Sequence, residues 1–238
     1  VSEPLSFVTW RWTPPAGYRS KFSAETVNVL KRMVDRHYTL PHRFICVTDD
    51  ANGINPSVEI VPDWKDFTQI QNPSGSKNPS CYRRLRMFHP DIAQTFGPRF
   101  VSMDLDMVIT GNLELLLNRA DDFVIFADTN PRTFYNGSFV LMTAGARPQV
   151  WDTFNPAESP KAARAAGHFG SDQGWVSHCL GPKEKKFTKA DGVYSFQNQL
   201  KSIKKLPDDA RVVVFHGYVD PWRPEVARKY PWVGKHYH

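Results

Sequence analysis

The stretch Phe100-Val-Ser-Met-Asp-Leu-Asp-Met-Val-Ile-Thr110 limits most sharply what this chain can become, because two carboxylates, Asp104 and Asp106, interrupt an otherwise apolar run. Apolar residues on both sides read as a buried strand. Carboxylates inside such a strand would carry a large desolvation cost, so Asp104-Leu105-Asp106 is expected at the strand's carboxyl end, facing a crevice. A divalent cation compensates two carboxylates well. Hard oxygen ligands suit Mg²⁺ or Mn²⁺, which keep positions open for phosphate oxygens. Alone, Asp-x-Asp also describes a solvated turn; the apolar bracketing is what favours a site.

With 238 residues and 41% hydrophobic content, the chain has enough material for one full core, read here as a single domain over residues 1–238. Its net charge of +6 suits a phosphate-bearing partner, whether nucleotide, nucleic acid or anionic surface. Cys46, Cys81 and Cys179 form no Cys-x-x-Cys pair, so no disulfide framework or zinc ribbon is indicated and a reducing, cytoplasmic setting is expected. The opening Val1-Ser-Glu-Pro-Leu5 lacks a basic region followed by an apolar core, and no run of 18 apolar residues occurs, so neither export nor membrane spanning is expected.

Taken in order, residues 5–10 read as a first strand and residues 11–17 as the loop leaving it. Trp10, Trp12 and Tyr18 gather there, either to stack on a nucleotide base or to fill core. Residues 23–38 read as a helix with Ser23 at its N-cap. A second strand, 43–48, ends in Asp49-Asp50, an acidic pair that takes a ribose hydroxyl or base edge, or else caps a turn. Residues 58–61 suggest a short strand and 72–79 an irregular loop. From Ser80 a helix is predicted that carries Arg83, Arg84 and Arg86, as a cation column for a diphosphate or as a solvated basic face.

Beyond Asp106, residues 109–117 turn into a short helix, and 123–127 and 135–142 read as strands. Helical pieces are expected at 148–154 and 162–166, and Gly170-Ser-Asp-Gln-Gly174 opens another over 175–180. The basic segment from Lys183 to Lys205 contains a short strand at 193–194. Residues 211–215 form a last buried strand, and the tail to His238 lies across the domain. Alternating strands and helices argue for an α/β sheet.

Four motifs in order resemble the nucleotide-sugar glycosyltransferases of the GT-A type, specifically the glycogenin-like and galactosyltransferase-like family 8. Met103-Asp-Leu-Asp-Met-Val-Ile-Thr-Gly-Asn-Leu113 is similar to that family's metal motif, and Tyr135-Asn-Gly-Ser-Phe-Val-Leu141 to its Asn-Ser-Gly strand. Gly170-Ser-Asp-Gln-Gly174 resembles its Asp-Gln helix start, and Phe215-His-Gly-Tyr-Val-Asp-Pro-Trp222 its closing His-x-x-Gly-x-x-Lys-Pro-Trp. The resemblance implies a single Rossmann-like GT-A domain with a mixed, mostly parallel sheet flanked by helices. It implies that Asp104, Asp106 and His216 bind Mn²⁺ or Mg²⁺, and that a nucleotide-sugar donor, a UDP-sugar first, meets Asn136, Gly137, Ser138, Asp172, Gln173, Gly217 and Trp222. Arg84 is the expected catalytic cation, and Asp172 the expected group near the anomeric carbon of a transfer that retains configuration.

The chain departs from the pattern in three places. Asp220 stands where the family has lysine, His216 immediately precedes Gly217 instead of lying three residues before it, and Gly137-Ser138 reverses the family's order. Rival readings of the same residues are a phosphohydrolase of the haloacid-dehalogenase type, a nucleotidyltransferase, and a non-catalytic nucleotide-sugar or nucleic-acid-binding module. The acceptor is unassigned, with a hydroxylated DNA base one use of the basic charge.

Overall fold

The computed structural model describes residues 3–14, 16, 18, 22–73, 75 and 80–238. Part of the loop after the first strand (Pro15, Gly17) and most of the 72–79 loop thus lie outside the described residues. In chain order the elements are β1 (Leu5–Arg11), α1 (Ala24–His37), β2 (His42–Thr48), β3 (Glu59–Pro62), a 3-10 helix (Tyr82–Phe88), α2 (Ala93–Phe96), β4 (Arg99–Met103) and β5 (Met107–Ile109). There follow α3 (Glu114–Leu117), β6 (Phe123–Ala127), β7 (Tyr135–Thr143), α4 (Gln149–Asp152), α5 (Ser159–Ala165) and α6 (Asp172–Leu180). The chain closes with β8 (Lys185–Phe187), β9 (Val193–Ser195), β10 (Val212–Val214), α7 (Pro224–Lys229) and α8 (Pro231–His236).

Seven strands form a central sheet in the order β3-β2-β1-β4-β7-β6-β8. The pairs β3–β2, β2–β1, β1–β4 and β6–β8 are parallel, whereas β7 runs antiparallel to both β4 and β6. This is the mixed, mostly parallel α/β sheet that the alternation and the resemblance predict. Parallel neighbours need crossovers that cover both faces, and β1 accordingly buries five consecutive residues, Ser6 to Trp10. One face packs on α1 through Val27, Leu30, Met33 and Val34, continuing to Trp232 and Val233 of α8. The other packs on the 3-10 helix and α6 through Tyr82, Leu85, Phe88, Trp175 and Val176.

Three details differ from the sequence expectation. The apolar run around Asp104 is two strands, not one: β4 ends the large sheet at Met103, and β5 restarts at Met107 in a separate three-stranded sheet, β5-β10-β9. Asp104-Leu105-Asp106 is the corner between them, so the carboxyl-end placement holds while the strand itself bends away. The arginine-bearing segment is a 3-10 helix, because burial falls on Tyr82, Arg84, Leu85, Met87 and Phe88 rather than on one α-helical stripe. β8 lies in a segment whose charge reads as solvated; Phe187 is buried there and carries the strand into the sheet edge.

Candidate active site

The carboxyl ends of β1 and β4 open onto a cavity of about 190 Å³ lined by Trp10, Trp12, Tyr18, Phe22, Cys81, Arg84, Asp104, Leu105, Asp106, His216 and Gly217. Open α/β sheets place ligands in this position, outside the strand ends. Larger cavities exist, one of about 410 Å³ between Arg119, Asp191 and Arg211. It contains none of the motif residues. The smaller cavity is therefore the candidate site, on chemistry and not on size.

Asp104 is fixed from two sides. Its backbone N–H donates to Ser138 O at 2.9 Å, and its Oδ2 accepts from Ser138 Oγ at 2.7 Å. Its Oδ1 accepts from Arg84 Nη1. Arg84 also donates from Nε and Nη2 to Asp172 Oδ2, at 2.8 and 2.7 Å, and is 5% exposed. A guanidinium so deeply buried needs this double pairing, since desolvation alone would oppose its charge. Burial does oppose it here, but Asp104 and Asp172 outweigh burial and raise its pKa. Beside it, burial pushes the Cys81 thiol up to about 12, so that thiol stays protonated.

Gly137 makes the junction possible. A Cβ there would stand 2.8 Å from Arg84 Nη2 and 3.2 Å from Asp172 Oδ2. The reversed Gly-Ser order thus has a local reason: Gly137 clears space for Arg84, while Ser138, one residue on, supplies the hydroxyl for Asp104. Asn136, buried on the same strand, turns its Oδ1 back to the Ser138 N–H at 2.9 Å.

Asp106 has no such clamp among its side-chain contacts. Burial first, then the charge of Asp104, with Asp220 adding and Arg84 opposing, raises its pKa well above the ordinary carboxylate range. Asp220 is itself 2% exposed and ion-paired with Arg223 at 2.7 Å. Where a lysine was expected, an acid neutralised by a nearby arginine sits beneath the site. The backbone O of Asp106 accepts from the Phe215 N–H at 2.8 Å, which brings His216 to the cavity. His216 Nε2 lies 2.6 Å from Ser195 Oγ, and burial lowers its pKa against the pull of Asp128 and Asp104.

Of the remaining expected residues, Trp10, Trp12 and Gly217 also line the cavity, whereas Asp49, Asp50, Gln173 and Trp222 are not among its lining residues. Asp49 accepts from Thr13 N–H and Oγ1 at 2.9 and 3.1 Å, and Asp50 pairs with Arg11 at 3.4 Å, so this acidic pair ties down the loop after β1. Trp10 packs mainly into core and donates from Nε1 to Ser102 Oγ at 3.2 Å. Trp12 carries the Arg83 guanidinium 4.4 Å from its ring centroid, and Trp222 sits edge-on to Phe22 at 5.4 Å. Gln173 donates from Nε2 to Asp128 Oδ2 at 3.2 Å.

Sequence reasoning missed Asp128 and Ser195. Asp128 directly follows β6 as Asp104 follows β4, so the same pattern of an apolar strand ending in Asp would have found it. Burial raises its pKa, and the His216 charge opposes that rise. Ser195, which holds His216, carries no comparable signal.

Asp104, Asp106 and His216 line one cavity and offer carboxylate oxygens and an imidazole, donor types that suit a divalent cation. Three carboxylates, Asp104, Asp106 and Asp172, lie about one guanidinium, and burial first, then the charge of Asp104, raises the pKa of both Asp106 and, against Arg84, Asp172. Among the described residues no preset group of three or more His, Cys, Asp or Glu side chains is positioned to hold a metal ion.

The fold and the corner of carboxylates define a GT-A-type architecture of the kind found in glycosyltransferases. The galactosyltransferase LgtC, solved with donor and acceptor sugar analogues, superposes with a TM-score of 0.63 at 12% identity over 98% of this chain and 97% of that one. The glycosyltransferase GlyE of Streptococcus pneumoniae TIGR4 is similar with a TM-score of 0.57 at 12% identity, over 92% of this chain and 57% of that one. The bifunctional glycosyltransferase WbbM gives a TM-score of 0.57 at 13% identity, over 98% of this chain and 50% of its own. No protein-family model and no curated protein matches the sequence. No helix among the described residues is long and apolar enough to cross a membrane.

Proposed function

We propose that this chain transfers a sugar, with retention, from a nucleoside-diphosphate sugar, a UDP-sugar first, to a hydroxylated acceptor, using Mn²⁺ or Mg²⁺. The observation that carries this reading is the convergence of Asp104, Asp106, Arg84 and His216 on one cavity at the carboxyl end of β4. Asp104, Asp106 and His216 would hold the ion, which when bound supplies Lewis-acid support for the departing nucleoside diphosphate. Arg84 presents fixed positive charge where the leaving diphosphate accumulates negative charge, and its two ion pairs hold it there before substrate arrives. Asp172 and Gln173 open α6, with Asp172 beside Gly137 and Gln173 bonded to Asp128; in this reading Asp172 would face the sugar. Neutral His216, favoured by its burial, keeps a nitrogen lone pair for a cation.

The test is a thermal-shift screen of UDP-, GDP- and dTDP-sugars with and without Mn²⁺, followed by assay of sugar release from whichever donor stabilises. A ligand that binds only the folded chain must raise the melting midpoint. Stabilisation by one donor class, dependent on Mn²⁺, is the expected result. No shift with any donor in the presence of either ion would overturn the proposal.

A further inference from the structure

On the loops beside Asp172 and Gln173, two guanidiniums contact one ring. Arg164 lies 4.4 Å and Arg132 5.8 Å from the Phe169 ring centroid. Both side chains belong to exposed residues, and among the described residues neither guanidinium has a hydrogen bond or ion pair. Nearby acids are already engaged: Glu158 pairs with Lys161 at 3.2 Å, and Asp128 takes the Asn130 N–H at 2.8 Å and Gln173 at 3.2 Å. Two like charges held against one ring without a counterion form a ready anion site.

The placement is fixed by the same loops that build the active site. Phe169 N–H donates to Thr133 Oγ1 at 2.7 Å, and His168 Nδ1 lies 2.6 Å from Arg132 O, so the 128–133 and 168–171 loops are laced together. The first loop carries Asp128 and Arg132, the second carries Phe169 and leads into Asp172 and Gln173 at the start of α6, and Arg164 of α5 reaches the Phe169 ring. An acceptor held beside Asp172 and Gln173 would have the Phe169 loop and its two arginines as neighbours.

We infer that Arg132 and Arg164 bind an anionic group, a phosphate or carboxylate, on a small acceptor sugar. This rests on the sugar-transfer reading for the word acceptor; the anion site itself does not. Two guanidiniums on one ring match a single oxyanion better than the repeating phosphates of a nucleic acid, which call for an extended basic track.

The matched probes are glucose 6-phosphate and glucose, titrated by calorimetry into the chain saturated with UDP, so that a phosphate cannot report the donor pocket. Glucose 6-phosphate is expected to bind at least tenfold more tightly than glucose, and R132A/R164A to bring the two within twofold, with R132K/R164K intermediate. Release of sugar from the donor should be unchanged in both variants, because neither residue belongs to the cavity. Equal binding of the two probes, or preference that survives R132A/R164A, would overturn the inference. So would binding of a duplex oligonucleotide without binding of glucose 6-phosphate. If donor release is absent throughout while the arginine-dependent preference persists, the transfer reading fails and the anion site stands.

Discussion

Arg84 and Arg83 are neighbours in sequence with opposite duties. Arg84 points into the site between Asp104 and Asp172, whereas Arg83 pairs with Asp63 at 2.7 Å and stacks on Trp12. Arg84→Ala leaves two carboxylates without their cation, and loss of one partner of a buried pair typically costs about 3–5 kcal/mol. Urea unfolding should show that loss, and calorimetry should show weakened donor binding; Arg83→Ala should lower stability while leaving donor affinity near the parent value. Matching donor affinities for the two variants would refute the division. For Asp106, replacement by Asn removes a charge the fold tolerates poorly, so the metal-free melting point should hold or rise. Transfer should fall by more than the roughly 10–100-fold that loss of an outer-shell partner costs. Full turnover at ordinary Mn²⁺ would exclude Asp106 as a ligand. His216→Ala is expected to raise the Mn²⁺ concentration for half-maximal activity, as acidification of the parent should by protonating the imidazole; unchanged titrations in both would exclude that ligand.

At the scale of elements, β7 and the 3-10 helix meet only because position 137 lacks a side chain. Gly137→Ala is expected to push Arg84 off Asp172, lowering stability by about 1–3 kcal/mol, the usual range for overpacking. Its transfer rate should fall with it, and a melting curve identical to the parent's would show that Arg84 has room to move. The same junction explains how much was legible in the sequence. Asp104, Asp106, Arg84 and Asp172 stand in or beside apolar periodic segments, where a charge is conspicuous, and the structure brings all four together. The bend at Leu105 was not legible: Met103 and Met107 are equally apolar, and only pairing partners far along the chain decide that one joins β7 and the other β10. Nor was the fate of Asp49 and Asp50, because an acidic pair after a strand looks alike whether it meets a ligand or the loop of a neighbouring strand.

Across the whole molecule, two kinds of buried titrating group give stability opposite slopes with pH. Asp106 and Asp172 have folded pKa values raised by burial first and by neighbouring carboxylates. The stability tied to their protonated form is complete below the unfolded value of about 4 and is lost as pH rises through the folded values. His216, lowered by burial, works the other way: its contribution is present above the unfolded value of about 6.5 and is lost as pH falls through the folded one. Melting of the metal-free protein across this range should therefore decline toward alkaline pH less steeply in Asp106→Asn, and toward acid less steeply in His216→Ala. Parallel curves for parent and variants would contradict the assignment of those groups. The small sheet carries a further consequence, for the order in which the protein is made. β5 leaves the ribosome about a hundred residues before its partner β10, since Val108 pairs with Val213. Until those late residues emerge, the Asp106 carbonyl has no Phe215 to accept from and His216 is absent, so a nascent chain can complete most of the large sheet while one wall of its cavity is unbuilt. Synthesis itself thus withholds the completed site until the C-terminal strand is in place.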